Sequence, residues 1–128
     1  MIKKKNLIWM VAGGSMQFLP AVILSRKYDL LITDKDPQAI CKKYSKFFYP
    51  IDIFDEKSNL KLLNKFKNKL SGIFTIASDC HLIVNKLSKK VGFHHTPINI
   101  SKLCYDKLKT RKFLEKSFLE EIEGLADE

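Results

Sequence analysis

Residues 7–20 read LIWMVAGGSMQFLP, and this stretch decides the fold. The apolar run at 7–12 lacks the alternation of a half-exposed strand, so it predicts a strand buried on both faces. Gly13 and Gly14 interrupt the run, and Ser15 is placed to cap a following helix. A strand, a glycine turn and a helix start in succession favour an anion at the free N–H groups of the helix. The turn therefore predicts a nucleotide or phosphate site, while a turn that serves packing alone stays open.

The same alternation continues along the chain. Apolar segments at 29–33, 47–51 and 72–77 are predicted strands. The predicted helices span 16–27, 37–44 and 59–70, and a fourth ends near residue 91. Strands that alternate with helices imply right-handed crossovers and a mostly parallel sheet. The predicted fold is a three-layer, Rossmann-like α/β domain with four or five parallel strands.

Polar loops follow three of the predicted strands. They contain Gly13, Gly14, Asp34, Asp36, Ser78 and Asp79. Because the carboxyl ends of parallel strands meet at one edge of the sheet, these loops are expected to converge there, where such sheets bind ligands.

The pattern changes beyond Gly92, where residues 94–97 are predicted to form a linker. We predict a Rossmann-like domain over 1–98 and a helical segment over 99–128, with a short helix to Tyr105 and a last helix from Asp106 to about Ile122. Apolar side chains recur on one side of the last helix at Leu114, Phe118, Ile122 and Leu125. Such a stripe packs on its own domain or against a partner, and both alternatives stay open.

Composition excludes several classes of protein. No apolar run approaches the ~20 residues that a membrane span needs. Three widely spaced cysteines favour reduced thiols in a cytoplasm over a disulfide framework. The net charge of +9 comes mainly from scattered lysines, with only two arginines, so nucleic-acid binding is not favoured.

The dinucleotide-binding fingerprint fits the first turn only in part. Asp34 lies 20 residues after Gly14, where an acidic residue would contact a ribose. However, Ala12 and Gln17 stand in place of the first and third glycines. A small NAD-type binding module is therefore the weaker alternative.

Four short motifs together resemble another family. AGGSMQFLP at 12–20, TDKDP at 33–37, Ser78-Asp79 after a strand, and Asp106-Lys107 with Arg111 opening a helix are similar to the N-terminal, pre-ATP-grasp domain of the ATP-grasp ligases. That superfamily includes biotin carboxylase and the large subunit of carbamoyl-phosphate synthase. The resemblance covers about residues 6–114.

The resemblance implies a role for each motif. Gly13, Gly14 and Gln17 would line the substrate side, with Asp34, Asp36, Ser78 and Asp79 nearby. Lys107 would reach the phosphates of ATP, and Arg111, one helical turn on, is a second candidate. In the full enzyme, ATP and magnesium would activate a carboxylate as an acyl phosphate, which an amine or thiol then attacks.

The sequence contains no ATP-binding module, so the resemblance implies that this chain does not catalyse ligation alone. Its expected partners are a small-molecule substrate, an ATP-grasp module in cis or in trans, and a second copy, since related domains often take part in dimers. A non-catalytic interaction domain is the third alternative.

Several other residues are interpreted as structural. Adjacent His94 and His95 lack further ligands at metal-site spacing, so no metal site is predicted. Cys80 beside His81 favours packing over catalysis. Trp9 is large for a core position and is expected near the edge of the first strand.

Overall fold

The computed structural model describes residues 5–76 and 79–126, which form two compact units, one ending at His95 and the other beginning at Thr96. The strands of the first unit are β1 Leu7–Val11, β2 Asp29–Thr33, β3 Phe47–Tyr49 and β4 Leu70–Phe74. Its helices are α1 Phe18–Ser25, α2 Glu56–Phe66 and α3 His81–Lys90. The second unit contains α4 Ile98–Tyr105 and α5 Lys107–Ala126.

The four strands form one sheet in the order β3-β2-β1-β4, and every pairing is parallel. This confirms the predicted α/β fold and its parallel sheet. The order places β1 in the interior, which explains why its sequence is apolar throughout. It also brings the loops that follow β1, β2, β3 and β4 to one edge of the sheet.

Side chains of β1 alternate between two hydrophobic layers. Trp9 and Val11 pack with residues of α2 and α3 on one face, and Met10 packs with Ala21 of α1 on the other. Helices therefore cover both faces of the sheet, giving the three predicted layers.

Trp9 lies in the centre of this core. Its side chain is fully buried, and its indole Nε1 donates a hydrogen bond to Oγ1 of Thr33 at 3.0 Å. The expected position near the strand edge is therefore wrong, because the neighbouring strand β2 supplies the polar partner that the indole requires.

Two predicted helices differ in the structure. Residues 40–44 form a 3₁₀ turn, not an α-helix from Pro37, because the carboxylates of Asp34 and Asp36 accept bonds from backbone N–H groups in the loop. Helix α2 begins three residues before the predicted Asn59, since the side chain of Asp55 accepts from the N–H of Ser58 as an N-cap.

Several other boundaries also differ: α2 ends at Phe66 and not near residue 70, and β3 and β4 end earlier than predicted, at Tyr49 and Phe74. Strand β4 begins at Leu70, which pairs with Leu7, and a bulge before the Ile8–Gly72 pair accommodates Ser71. A 3₁₀ turn precedes α1, and its N-cap is Gly14, without a side-chain cap bond, instead of Ser15. Among the helices of residues 5–76 and 79–126, none combines the length and apolarity that crossing a bilayer requires.

Candidate functional site

The end of β1 turns sharply into the glycine loop. Ala12 adopts a left-handed backbone with φ of 71°, which is uncommon for a residue other than glycine. Gly13 is required for packing, since a Cβ there would lie 2.9 Å from Cγ2 of Ile32. Gly14 faces open space. Of the two glycines, only Gly14 leaves its surroundings open to a ligand.

Asp34 joins the loops that follow β1 and β2. Its Oδ2 accepts from the backbone N–H of Gly13 at 2.8 Å, and its Oδ1 accepts from that of Asp36 at 2.9 Å. Each oxygen keeps further acceptor capacity, because a carboxylate offers about four lone-pair sites. Asp34 therefore fixes the shape of the loop and remains at the sheet edge.

Gln17 is buried and bonded at both ends of its amide. Nε2 donates to the carbonyls of Val11 and Ala12 at 3.0 and 2.8 Å, and Oε1 accepts from the N–H of Ile76 at 3.0 Å. The side chain is only 1% exposed. It links the end of β1 to the segment after β4, so its predicted contact with substrate would require those bonds to change.

A cleft of about 190 Å³ opens at the carboxyl edge of the sheet. Its lining comes from all four strand-end loops: Ala12, Asp34, Lys35, Asp52, Ile53, Phe54 and Cys80. Asp52 also accepts the N–H of Phe54 through Oδ1 at 2.9 Å. Cavities that enclose whole ligands typically measure about 300–1,000 Å³, so this cleft suits one end of a small molecule.

The cleft includes part of the predicted set. Asp34 lines it, whereas Gly13 and Gln17 are buried beside it and Asp36 and Asp79 are exposed. Ser78 lies outside the described residues. The binding roles of these residues stay predictions.

Lys35, Ile53 and Phe54 were not among the predicted site residues. Lys35 lies between Asp34 and Asp36, so the predicted loop after β2 already pointed to it. Ile53 and Phe54 reach the same edge because β3 lies beside β2, an order that the sequence pattern does not show.

The thiol of Cys41 lies beneath the glycine loop. Its Sγ is 3.4 Å from the carbonyl oxygen of Gly14, and its backbone N–H donates to the carbonyl of Gly13. Burial, and then the negative charge of Asp34, raises the pKa of the Cys41 thiol. At neutral pH this thiol is therefore protonated and packs as a small apolar group.

A larger cavity of about 470 Å³ lies at the opposite, amino edge of the sheet. Two of its lysines are engaged: Lys46 pairs with Asp29 at 2.9 Å, and Lys5 donates to the carbonyl of Ser25 at the end of α1. Lys5 thus balances the dipole at the carboxyl end of α1, and Asp29 neutralises Lys46, so these two cations have protein partners.

The second unit contains both predicted phosphate ligands. Lys107 and Arg111 line an open groove of about 440 Å³ along α4 and α5, together with Glu115. Asp106 caps α5 by accepting from the N–H groups of Leu108 and Lys109. The two cations are one turn apart on one helix face, a spacing that suits a phosphate chain.

In the part of the chain that the structure describes, no three His, Cys, Asp or Glu side chains are grouped to hold a metal ion.

Comparison with known proteins finds matches among solved structures only. No protein-family profile and no curated protein sequence matches the chain. Among solved structures, an L-amino acid ligase from Bacillus licheniformis matches with a TM-score of 0.72 and 14% identity, over 89% of this chain and 30% of its own.

Two others are similar. Phosphoribosylglycinamide synthetase from Anaerococcus prevotii matches with a TM-score of 0.66 at 16% identity, over 87% of this chain and 28% of its own. N5-carboxyaminoimidazole synthetase from Staphylococcus aureus, solved with ADP, matches with a TM-score of 0.65 at 19% identity. The match covers 90% of this chain and 30% of the synthetase.

These neighbours are ATP-grasp ligases, as the sequence motifs predicted, and the likeness establishes a shared fold. The chain spans about 30% of the length of the ligases that it matches.

Proposed function

We propose that this chain is the acceptor-side domain of an ATP-dependent carboxylate–amine or carboxylate–thiol ligase of the ATP-grasp type, and that it does not ligate alone. The observation that carries this is the shared fold, which spans nearly all of this chain but under a third of each ligase. The three cysteines are not joined by disulfides, which favours a cytoplasmic location for the same protein.

The domain's contribution would be to position the acceptor. Asp34 and Asp52 offer carboxylates to an ammonium or amine, and Lys35 offers a cation to an acidic group. Phe54, which is 74% exposed, offers an apolar surface beside them. We therefore propose an acceptor amine that also carries a carboxylate or phosphate. Holding such a molecule in one orientation is a large part of what a ligase site supplies to the rate.

Lys107 and Arg111 would hold the phosphates of ATP. When bound with magnesium, ATP supplies the activation of the carboxylate, and the magnesium ligands would come from an ATP-binding module in cis or in trans. Carbamoyl-phosphate synthase-like chemistry is one member of this proposed class.

The test is a titration of the ¹⁵N-labelled chain followed by two-dimensional NMR. The probes are amino acids, phosphorylated amines and NAD, each added separately. We expect amines that carry an acidic group to shift the backbone signals of Lys35, Asp52 and Phe54, with weak, millimolar affinity. Asp52→Asn should reduce that binding, whereas Glu123→Gln, which removes an exposed carboxylate of α5 outside the cleft, should not.

Phosphate release is measured in parallel. The chain alone should release none from ATP, and supplying an ATP-grasp module should make release depend on the acceptor. Tight NAD binding with shifts centred on residues 13–17 would instead establish the dinucleotide-binding alternative. ATP turnover by the chain alone would contradict the proposed division of labour.

A further inference from the structure

Helix α5 presents an unusually apolar surface. Leu114, Phe118, Ile122 and Leu125 are spaced four, four and three residues apart, so they lie on one face of the helix. Their exposed fractions are 59%, 63%, 46% and 66%. Scattered single exposed apolar residues are ordinary, but a continuous stripe over three turns marks an interaction surface.

The charge of α5 is divided along its axis. Residues 107–112, KLKTRK, carry four basic side chains and no acid. Residues 115–123, EKSFLEEIE, carry four acids and one lysine. The helix therefore has a basic first third and an acidic second half, with the apolar stripe running from one into the other.

We propose that this stripe docks against α5 of a second copy of the chain, with the two helices antiparallel. An antiparallel pair places the basic start of each helix beside the acidic half of the other. A parallel pair would align basic with basic and acid with acid. The same patch serves both copies, as two-fold symmetry requires. The pairing does not require the proposed ligase function. Because Arg111 and Leu114 also line the groove proposed for the ATP phosphates, the partner helix and ATP would compete for that end of α5.

The spacing of the stripe sets the alignment. When Phe118 meets Phe118 of the partner subunit at the symmetry axis, Leu114 lies opposite Ile122 of the partner subunit. Arg111 then lies opposite Leu125 of the partner subunit, one turn from the partner's Glu121. Arg111 thus gains an acidic neighbour on the partner, and Lys107 stays outside the paired segment.

The contact is modest in size. A 20-residue helix is about 30 Å long, and a single pair of such helices lies at the small end of specific interfaces, below about 1,200 Å² in total. We therefore expect micromolar self-association. The whole chain is examined by sedimentation velocity from about 1 to about 300 μM, a range that brackets such an affinity. The expected species grows from 14.8 kDa toward twice that mass.

Phe118→Glu is the first variant, and Phe113→Glu is its matched control. Phe113 is also exposed, but it lies five residues earlier, about 140° round the helix from Phe118. Loss of a central aromatic anchor should weaken the dimer about 30-fold or more, whereas the control should leave it unchanged. Circular dichroism verifies that each variant keeps its helices.

Charge reversal tests the antiparallel direction. Arg111→Glu and Glu121→Arg should each weaken the dimer of its own variant, and an equimolar mixture of the two should associate again. An antiparallel pair restores both contacts in the mixed dimer. A parallel pair would also place Glu opposite Arg in the mixture, so the double variant Arg111→Glu/Glu121→Arg decides the direction. An antiparallel homodimer of that variant keeps both opposite-charge contacts and associates, whereas a parallel one still aligns like charges and stays weak. Lys116→Glu and Glu123→Arg, on the opposite face, serve as the control pair and should show no such recovery.

A monomer throughout the concentration range would overturn the proposal, including the case in which another part of the chain covers the stripe. Equal effects of Phe118→Glu and Phe113→Glu would also overturn it. A mixture of the Arg111 and Glu121 variants that stays monomeric would reject the antiparallel arrangement.

Discussion

The amide of Gln17 and the backbone of Ile76 are hydrogen-bonded at 3.0 Å across 59 residues of sequence. The same amide donates to the end of β1, so one buried side chain joins the ends of β1 and β4 at the edge where the cleft opens. The buried amide therefore holds the backbone at the end of β1 and after β4 in place, and so fixes the shape of this edge of the cleft.

Replacing Gln17 with Leu should therefore destabilise the domain. The substitution removes a fully buried bond to the carbonyl of Val11 and two part-buried bonds, to the carbonyl of Ala12 and the N–H of Ile76. A buried polar group left unsatisfied costs about 1–3 kcal/mol. We expect a loss of about 2–4 kcal/mol in the free energy of unfolding, measured with urea. Gln38→Leu, at an exposed position, is the control and should change stability by less than about 0.5 kcal/mol. Equal losses in the two variants would show that the amide bonds contribute nothing.

Alanine at Gly13 and alanine at Gly14 should have opposite consequences. At Gly13 the new methyl group would approach Ile32 to 2.9 Å, and overpacking of this kind costs about 1–3 kcal/mol. Gly14 has φ of −73° and ψ of −179°, which any residue adopts, and nothing lies within 4 Å of a Cβ there. Gly14→Ala should leave stability unchanged or raise it by up to about 1 kcal/mol. Thermal unfolding of the two variants side by side checks this, and a Gly14 variant that loses more stability would refute it.

The three cysteines should differ in reactivity. Cys104 is exposed, while Cys41 and Cys80 are buried. A maleimide at pH 7.5 should label Cys104 at the rate of a free thiol, and Cys41 only when the domain opens. Mass spectrometry of timed samples, with urea-unfolded protein as the reference, distinguishes the sites.

The raised pKa of Cys41 also has a consequence for stability. The folded state holds the thiol proton more tightly than the unfolded chain does, in which the pKa of a cysteine thiol is about 8.5. The stability contribution is therefore complete below that pH and declines as pH rises through the folded pKa. Comparing urea unfolding at pH 7 and 9.5, Cys41→Ala should lessen the decline and Cys104→Ala should not. Identical slopes in all three proteins would contradict this.

Much of the fold was predictable because it depends on local patterns. The apolar run of β1 and the glycine turn after it predicted a buried strand and a crossover, and the alternation downstream predicted the parallel sheet. The motifs around Gly14, Asp34 and Lys107 predicted the resemblance to ATP-grasp ligases, which the structural neighbours confirm at the level of the fold.

The remaining features depend on contacts between distant segments. Nothing near Trp9 in the sequence shows that Thr33 would bond to its indole, and nothing near Gln17 shows that Ile76 would bond to its amide. Likewise, Phe54 reaches the cleft only because β3 lies beside β2. The order of the strands in the sheet determines which loops become neighbours. That order cannot be deduced from the periodicity of any one segment.

The N-cap of α2 provides a pH-dependent test. Hydrogen bonds from Ser58, with a smaller effect of Lys57, hold the pKa of Asp55 below its ordinary value. The pKa of Asp55 is lower in the folded state than in the unfolded chain, where it is about 3.9. The stabilisation is therefore complete above the unfolded pKa and disappears as the pH falls through the folded pKa. Asn caps helices well but carries no charge, so Asp55→Asn should be less stable than the natural chain at pH 6 and approach it below pH 3. Urea unfolding at several pH values measures the difference, and Asp55→Ala, which removes the cap entirely, should stay less stable throughout. A gap between Asp and Asn that persists unchanged in acid would mean that the charge of Asp55 does not stabilise α2.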